Sequence, residues 1–282
     1  MKNYQAETIA TGLAFPEGPR WYDGRFWFTD QHARRVCSMD TSGTLRTVAH
    51  TSDLPGGLGW LPDGTLLVVY MTQRRIMRLS GSELHLYADL AQQARFHCND
   101  MVVDADGRIY AGNFGFDLHA GEAVRSTEIV LVDVDGAIEH FASDVVFPNG
   151  SAITPDGERL LVAETFAHRI SEFQFDSVGR MQSRRVWAEL GQATPDGICL
   201  DNEGAIWVAS PGTRELLRVK QGGAILARCE TRGTPYACML GGEDRRTLFA
   251  CTSETDDPEQ AAQLKSGRIE RVEVEVPGAG LP

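Results

Sequence analysis

The feature that most constrains the fold is a short turn followed by an apolar strand, which recurs six times along the chain. Two of the copies read PDGTLLVVY from residue 62 and NEGAIWVAS from residue 202. Asp-Gly between apolar runs is a strong hairpin signal, because glycine accepts the positive φ of a tight turn. The acidic turn residues lie 40, 43, 50, 47 and 41 residues apart: Asp23, Asp63, Asp106, Asp156, Glu203 and Asp244. This regular spacing indicates a repeat architecture.

One repeat shows the internal structure of the unit. Short apolar segments occupy residues 57–61, 66–70, 75–79 and 84–88, each separated by a turn. Four short strands in a unit of about 45 residues are typical of a propeller blade. We therefore predict an all-β fold, a six-bladed β-propeller with four strands per blade, formed by a single domain over residues 1–282. A two-sheet sandwich does not account for six copies of one turn.

The two ends of the chain are expected to meet in the last blade. The sixth repeat supplies only three strands before the chain ends. The N-terminal segment AETIATG, residues 6–12, has the composition of a strand and precedes the first repeat. We predict that it joins the last blade as its outer strand and closes the ring, which removes the open edges of a linear array.

Composition excludes some classes of partner. The formal net charge is −12 and no basic run of five residues occurs, so we expect no binding to nucleic acid. The longest apolar run, residues 66–71, is too short to span a bilayer, and the first residues lack the apolar stretch of a signal peptide. The six cysteines form no CxxC pair. We expect reduced thiols and a cytoplasmic protein that does not bind membranes; no feature indicates an oligomeric state.

The repeats place oxygen-bearing side chains at one mouth of the predicted channel. In a propeller the strand before each turn lies innermost, so the residues at its start converge on the channel axis. At this position four blades carry a carboxylate or an amide: Glu17, Asn99, Asn149 and Asp196. Asn-Gly and Asp-Gly are ordinary turn pairs, and Glu17 alone indicates little, but together the four side chains form a set of hard oxygen donors. We expect one divalent cation there, Ca²⁺ first, with Mg²⁺, Mn²⁺ or Zn²⁺ as alternatives.

The same motifs resemble a known family. The segments FPEGPRW, NDMVVDADGR, FPNGSAITPDGERLLVAET and TPDGICLDNEGAIWVA are similar to those of the gluconolactonase, or regucalcin-like (senescence marker protein), family of six-bladed propellers. The resemblance extends over residues 12–255 and implies a lactonase with one divalent metal in the channel. It implies that Glu17, Asn149 and Asp196 hold the metal. Asn99 would contact the substrate, or complete the metal shell as in the related paraoxonase-type propellers.

One position departs from the family pattern. Sugar-lactone members carry an arginine two residues before the equivalent of Asn99, and this chain has His97 there. The nearest arginine is Arg95, which would share a face with His97 on an alternating strand. Loss of a permanent bidentate donor makes a hydroxyl-rich substrate less favourable. We therefore expect a less polar lactone, with Arg95 retained as a candidate substrate contact.

The predicted chemistry is hydrolysis of a lactone or a related small ester. A cation at the channel mouth can polarise the carbonyl and activate water. Asp196 is the first candidate for the general base, because one carboxylate oxygen can bind metal while the other accepts a proton. His97 is the alternative base, and it is equally well explained as a residue that shapes the pocket.

Two further segments supply candidate substrate contacts. The connection 112–127 is longer than a hairpin needs, and such loops are commonly lids or binding loops. The segment 163–170 follows a strand of the fourth repeat, so we expect Glu164 or His168 to face the channel, with a structural hydrogen-bonding role as the alternative for His168. The candidates from these two segments are Phe114, Phe116, His119, Glu164 and His168.

Other functions remain compatible with the fold. A propeller can bind a partner protein or store Ca²⁺ without catalysis, and the same site can serve a lyase or a phosphotriesterase. The four convergent oxygen donors favour catalysis over a plain scaffold. Nucleophilic catalysis has little support, because no GxSxG motif occurs.

Overall fold

A computed structural model describes residues 1–280, and the predicted domain therefore extends two residues beyond the described part of the chain. Six sheets occupy this part, and each corresponds to one of the predicted repeats. The chain begins with β1 (Lys2–Gln5) and β2 (Glu7–Leu13). The prediction of a six-bladed β-propeller is confirmed.

The first three blades follow directly in sequence, each as an antiparallel four-stranded sheet. Blade one comprises β3 (Pro16–Tyr22), β4 (Arg25–Asp30), β5 (Arg35–Met39) and β6 (Leu45–His50). Blade two comprises β7 (Pro55–Trp60), β8 (Leu66–Tyr70), β9 (Arg75–Ser80) and β10 (Glu83–Asp89). Blade three comprises β11 (Cys98–Val103), β12 (Ile109–Asn113), β13 (Thr127–Val132) and β14 (Ile138–Val145).

The remaining blades complete the ring. Blade four comprises β15 (Pro148–Ile153), β16 (Arg159–Glu164), β17 (Arg169–Phe175) and β18 (Met181–Glu189). Blade five comprises β19 (Ile198–Leu200), β20 (Ile206–Ser210), β21 (Glu215–Val219) and β22 (Ile225–Glu230). Blade six comprises β23 (Thr234–Gly241), β24 (Thr247–Ser253) and β25 (Gly267–Glu273), with α1 (Pro258–Leu264) between the last two.

Ring closure occurs as predicted, with one addition. Strand β2 pairs antiparallel with β25, so the N-terminal segment is the outer strand of blade six. Strand β1 was not predicted. It pairs in parallel with β22 and gives blade five a fifth strand, Lys2 opposite Ala227. The edge of β22 has free backbone groups, and the first residues of the chain reach them before the chain turns into β2.

The turns have the backbone that the sequence predicts, with one exception. In blade one Asp23 and Gly24 both have positive φ, 48° and 68°, as a two-residue hairpin turn requires. In blade six Arg245 takes the left-handed conformation, at φ 59°, where the other turns have glycine. The Asp-Gly pattern is therefore a strong signal for these hairpins, but the fold does not depend on glycine at every turn.

The hydrophobic core lies between neighbouring blades. Val36 of blade one packs with Leu58 and Val68 of blade two, and corresponding clusters of buried residues fill the other blade interfaces. The innermost strands contact one another around the ring: β3, β7, β11, β15, β19 and β23. All six cysteines are buried and unbridged. No helix within residues 1–280 has the length and apolarity needed to cross a bilayer.

Candidate active site

The four predicted oxygen donors line one pocket. Glu17, Asn99 and Asn149 are each the second residue of an innermost strand, and Asp196 lies two residues before another. The pocket that they line lies at one mouth of the channel and encloses about 780 Å³, its open mouth included. The repeat positions seen in the sequence therefore bring these four side chains together.

In five of the six blades the pairing of the innermost strand is interrupted just after the strand begins, whereas in blade five Asp196 lies before the regularly paired strand β19. Pairing shifts between Glu17 and Arg20 in blade one, and equivalent shifts occur in blades two, three, four and six. Such bulges bend a strand locally and change the direction of its side chains, and they are common beside active sites. Glu17 lies six residues before its turn acid and the other donors lie seven before theirs, because the turn of blade one is shorter: Asp23 directly follows β3, whereas Asp106 lies three residues after the end of β11.

Glycines after the donors let adjacent innermost strands approach closely. A Cβ atom on Gly150 would lie 2.6 Å from the backbone oxygen of Asp196, and one on Gly197 would lie 2.4 Å from the Cβ of Ala237. The amide of Gly150 donates a hydrogen bond to that Asp196 oxygen at 3.2 Å. The Gly150 contacts fix the blade-four and blade-five donors relative to each other, and the Gly197 contact fixes blade five against blade six.

The two carboxylates of the site are held close together by the fold. The side chain of Glu17 accepts a hydrogen bond from the amide of Gly18 at 2.6 Å. Burial, with the negative charge of Asp100, raises the pKa of Glu17 to about 7. Burial and the charge of Glu17 raise the pKa of Asp196 well above its ordinary value, while contact with Asn149 opposes the rise. Both carboxylates are therefore costly to ionise without a nearby positive charge.

The two asparagines are oriented by hydrogen bonds from their amino groups. Asn99 Nδ2 donates to the backbone oxygen of Pro148 at 3.4 Å, and Asn149 Nδ2 donates to Thr165 Oγ1 at 3.2 Å. Thr165 is fixed in turn, since its hydroxyl donates to the Pro195 oxygen at 2.8 Å. Within residues 1–280 no group donates a hydrogen bond to either Oδ1 atom, so both amide oxygens remain free as ligands.

This donor set fits a divalent cation. Two carboxylates and two amide oxygens are the ligand types that hard cations bind, and the raised pKa values indicate that a positive charge would be stabilised there. Across the described chain no three His, Cys, Asp or Glu side chains are grouped as metal ligands. The site has only two such residues, because its other two donors are amides.

A buried ion pair supports the floor of the site. Arg20 Nη2 donates to Asp100 Oδ1 at 2.7 Å and to the backbone oxygen of Met101 at 2.6 Å. Gly57 leaves room for this carboxylate, since a Cβ there would lie 2.2 Å from Asp100 Oδ1. Burial raises the pKa of Asp100, and the charge of Arg20 opposes it. The pair anchors the residue next to Asn99 below the pocket.

Three histidines lie around the pocket: His32, His97 and His119. His97 stacks on Phe96 with ring centroids 4.1 Å apart. Burial lowers the pKa of His97, with Asp117 opposing, and burial also lowers the pKa of His32. Both imidazoles are therefore neutral at pH 7 and able to accept a proton.

Aromatic clusters stand on two opposite sides of the pocket. On the side of blades three and four, Phe114 stacks on Phe147 with centroids 4.5 Å apart. On the side of blades six and one, the ring of Phe15 packs edge-on against Tyr236, with centroids 4.7 Å apart. It also packs at a tilt against the ring of His32, with centroids 5.3 Å apart. The oxygen donors lie between these two clusters at the end of the channel.

Four candidate substrate contacts do not line the pocket: Arg95, Phe116, Glu164 and His168. Arg95 lies outside the strand on which it was expected, and Phe116 lies in the core. Strand β11 begins only at Cys98, so alternation along a strand does not apply to Arg95. Its Nη2 atom instead donates to Glu128 Oε1 at 2.6 Å, and the side chain is half-exposed. Phe116 is fully buried and packs against Phe147 and Phe166. The structure therefore does not bring Arg95 and Phe116 into the pocket with the oxygen donors.

The other two belong to the framework of blade four. Glu164 is completely buried and accepts hydrogen bonds from Arg169, Arg184, Ser171 and the amide of Val146. His168 ends a 3₁₀ turn with φ 54°, and its Nδ1 atom lies 2.9 Å from the Ala193 oxygen. The polar atoms of both residues bond within the framework, in line with the structural alternative for His168, and neither residue lines the pocket.

One wall of the pocket consists of residues that were not predicted from the sequence. Gln31 and His32 come from a 3₁₀ turn after β4, while Asp256 and Pro258 come from the connection that carries α1. This connection, residues 254–266, is as long as residues 114–126, so the same loop-length argument would have found it. Tyr236 and Phe147 gave no comparable signal.

Comparison with known proteins places the chain in a family. The sequence profile of the SMP-30/gluconolactonase/LRE-like region matches residues 15–254. The chain is 25% identical over 262 residues to the pentonolactonase of Haloferax volcanii, a match that covers 90% of this chain and 87% of that protein. It is 31% identical over 201 residues to the 6-deoxy-6-sulfogluconolactonase of Pseudomonas putida, which covers 68% of this chain and 66% of that protein.

A solved structure shows the same fold. The crystal structure of regucalcin from Agrobacterium tumefaciens, described as a calcium-binding protein, matches with a TM-score of 0.82 at 21% identity. The match covers 100% of this chain and 98% of that chain. With the profile match over most of its length, the chain belongs to the SMP-30/gluconolactonase/LRE-like family, as its motifs predict.

Proposed function

We propose that this protein hydrolyses a lactone or a related small ester with the help of one divalent cation. The observation that carries the proposal is the convergence of Glu17, Asn99, Asn149 and Asp196 in one pocket, with both carboxylates raised in pKa. The names of the relatives, a pentonolactonase and a sulfogluconolactonase, support lactone hydrolysis.

Glu17, Asn149 and Asp196 would hold the cation, with Asn99 as a fourth ligand or as a substrate contact. We propose Ca²⁺, because it accepts mixed carboxylate and amide oxygens in flexible geometry. The description of the regucalcin structure as calcium-binding supports this choice. Mg²⁺, Mn²⁺ and Zn²⁺ are the alternatives. When bound, the cation supplies Lewis-acid stabilisation of the developing oxyanion and makes water more acidic.

The chain's own residues would handle the proton. Water adds to the carbonyl carbon, and Asp196 accepts its proton; the proton then passes to the ring oxygen, which leaves as the alcohol of the opened hydroxy acid. His97, neutral at pH 7, is the alternative acceptor. Asn99, Phe114 and His119 would contact the rest of the substrate, since all three line the pocket.

The proposed setting is the cytoplasm, with a small molecule as substrate and neither nucleic acid nor membrane as partner. The net charge of −12 and the six buried free cysteines support this setting.

A substrate panel tests the proposal. Metal-stripped protein is assayed by pH-stat against lactones, linear esters and phosphotriesters, first without metal and then with each divalent ion. We expect lactones to be hydrolysed in the presence of a divalent ion. Turnover of phosphotriesters alone, or of nothing, would overturn the proposal.

A further inference from the structure

The side chains that line the pocket beside the oxygen donors indicate which substituents the substrate bears. Besides the donors and five other polar residues, Gln31, His32, His97, His119 and Asp256, the pocket is lined by apolar side chains: Phe15, Leu54, Met71, Phe114, Leu118 and Phe147. Several of them continue the hydrophobic core between blades two and three, where Met71, Phe114 and Phe147 pack with the partly buried Leu54 and Leu118. This side of the pocket is therefore an extension of the core that remains open to a ligand.

The charged residues of the pocket also favour an uncharged substrate. None of the described residues that line it is a lysine or an arginine. Arg95 is paired with Glu128 outside the pocket, and Arg20 is paired with Asp100 beneath it. The charged lining residues are the carboxylates Glu17, Asp196 and Asp256. An anionic substituent on the substrate would meet no permanent cation there, and Asp256 would repel it.

We infer that the substrate is an uncharged lactone bearing an apolar alkyl or aryl substituent, and this inference rests on the proposed lactonase function. Its carbonyl lies toward the oxygen donors. The substituent lies against Phe114, Leu118 and Phe147, under the connection 114–126 between β12 and β13. One aromatic cluster contains Phe114 and Phe147, whose ring centroids are 4.5 Å apart, and the other contains Phe15 and Tyr236, whose centroids are 4.7 Å apart. Together they supply contact area on both sides of a flat or extended group. Polyhydroxylated and anionic lactones lack this gain, and those of their polar groups that face the apolar wall lose hydration without a hydrogen-bond partner.

The inference is tested with four lactones that share a six-membered ring. These are δ-valerolactone, its pentyl-substituted form δ-decalactone, glucono-δ-lactone and 6-phosphoglucono-δ-lactone. We expect kcat/KM for δ-decalactone to exceed that for δ-valerolactone by about tenfold, because burial of two methylene groups is enough for such a gain. The kcat/KM for δ-decalactone should also exceed that for glucono-δ-lactone by at least about tenfold, and the kcat/KM for 6-phosphoglucono-δ-lactone should be the lowest of the four.

A matched pair of variants locates the effect. Leu118 is partly exposed in a connection, so Leu118→Asn removes apolar contact without opening a cavity in the core. We expect it to lower the ratio of kcat/KM for δ-decalactone to that for δ-valerolactone by about threefold to tenfold. Leu264→Asn, an exposed leucine on α1 outside the pocket, should leave the ratio unchanged.

A binding measurement separates this inference from the proposed function. The lactam 2-piperidone and its 6-pentyl derivative resist hydrolysis, and calorimetry should show about tenfold tighter binding of the derivative. A best substrate that is hydroxylated or phosphorylated, or a pentyl group that adds nothing, would overturn the inference while lactone hydrolysis stands. Hydrolysis of none of the lactones would overturn the proposed function, and the lactam affinities would then decide the inference alone.

Discussion

At the scale of single residues, the site depends on two carboxylates that the fold holds together against their mutual repulsion. Burial and like charge raise the pKa of both Glu17 and Asp196. A divalent cation would relieve this cost, and so would a proton. The arrangement is therefore poorly suited to a plain scaffold and well suited to a cation site whose ligands also handle protons.

Asp196→Asn tests the double role of this residue. The amide keeps one oxygen donor but cannot accept a proton, so we expect kcat to fall about 10²-fold or more while cation binding weakens far less. Steady-state kinetics and calorimetric titration of the cation measure the two effects. Asp63→Asn, in an exposed turn, is the matched control. If cation occupancy and kcat fall in parallel, Asp196 is only a ligand, and His97 becomes the candidate base.

Glu164→Gln tests whether this residue is structural. Although burial opposes it, hydrogen bonds from Arg169 and Ser171 lower the pKa of Glu164. Loss of the charge should cost about 2–4 kcal/mol at pH 7, less than for a dry pair because both arginines are about a quarter exposed. Urea denaturation measures this cost, with exposed Glu158→Gln as control. The kcat should not change, and a large loss of activity without loss of stability would contradict the structural role.

The pH dependence of the same variant gives a second check. Because the pKa of Glu164 is lower in the folded state than in the unfolded chain, its stabilisation is fully present above the unfolded value of about 4.3. It is lost as the pH falls through the lower folded value, since the unfolded state binds the proton first. The variant should therefore show a shallower loss of unfolding free energy below about pH 4.3 than the wild type.

At the scale of elements, the sequence predicts what is repeated and misses what is not. Strands β7 to β10 fall within two residues of their predicted bounds, because turn chemistry and apolar alternation mark every blade in the same way. The donor positions follow from the same repetition. Arg95, Glu164 and His168 do not line the pocket, because they lie at or beyond strand ends, where alternation stops and a turn sets the direction of the side chain.

The pocket walls show the same division. Connections 114–126 and 254–266 are unique to their blades, and only the first was recognised as a binding segment. His32 lies in a 3₁₀ turn equivalent in position to the one that contains Thr165 and Ala167 in blade four. Comparing the ends of all six second strands would have drawn attention to it. Whether a side chain at such a position faces the channel or makes hydrogen bonds within the blade depends on tertiary packing, which no local sequence pattern encodes.

At the scale of the whole molecule, the N-terminal segment joins the first and last parts of the chain. Strand β2 supplies the outer edge of blade six, and Leu13 at its end is fully buried. Strand β1 only adds an exposed parallel edge to blade five. The pattern of the sequence predicts β2 because the sixth repeat lacks a strand, whereas nothing local indicates which edge β1 will find.

Two truncations separate these contributions. Removal of residues 1–5 should lower Tm by only a few degrees, because β1 is largely exposed. Removal of residues 1–13 opens an edge of blade six and exposes its core; a loss of about 4 kcal/mol lowers Tm by roughly 7 °C in a domain of this size. Calorimetry measures both. Equal Tm values for the two truncations would show that β2 does not close the ring.

The central claim is that one cation, held at the mouth of the channel, is required for lactone hydrolysis. The most direct measurement is the initial rate of hydrolysis of a lactone substrate as metal-free protein is titrated with a divalent ion at protein concentrations well above the dissociation constant. We predict a rate near the uncatalysed background without metal and a linear rise that ends at one cation per chain. A metal-free protein that hydrolyses the lactone as fast as the loaded protein would contradict the account.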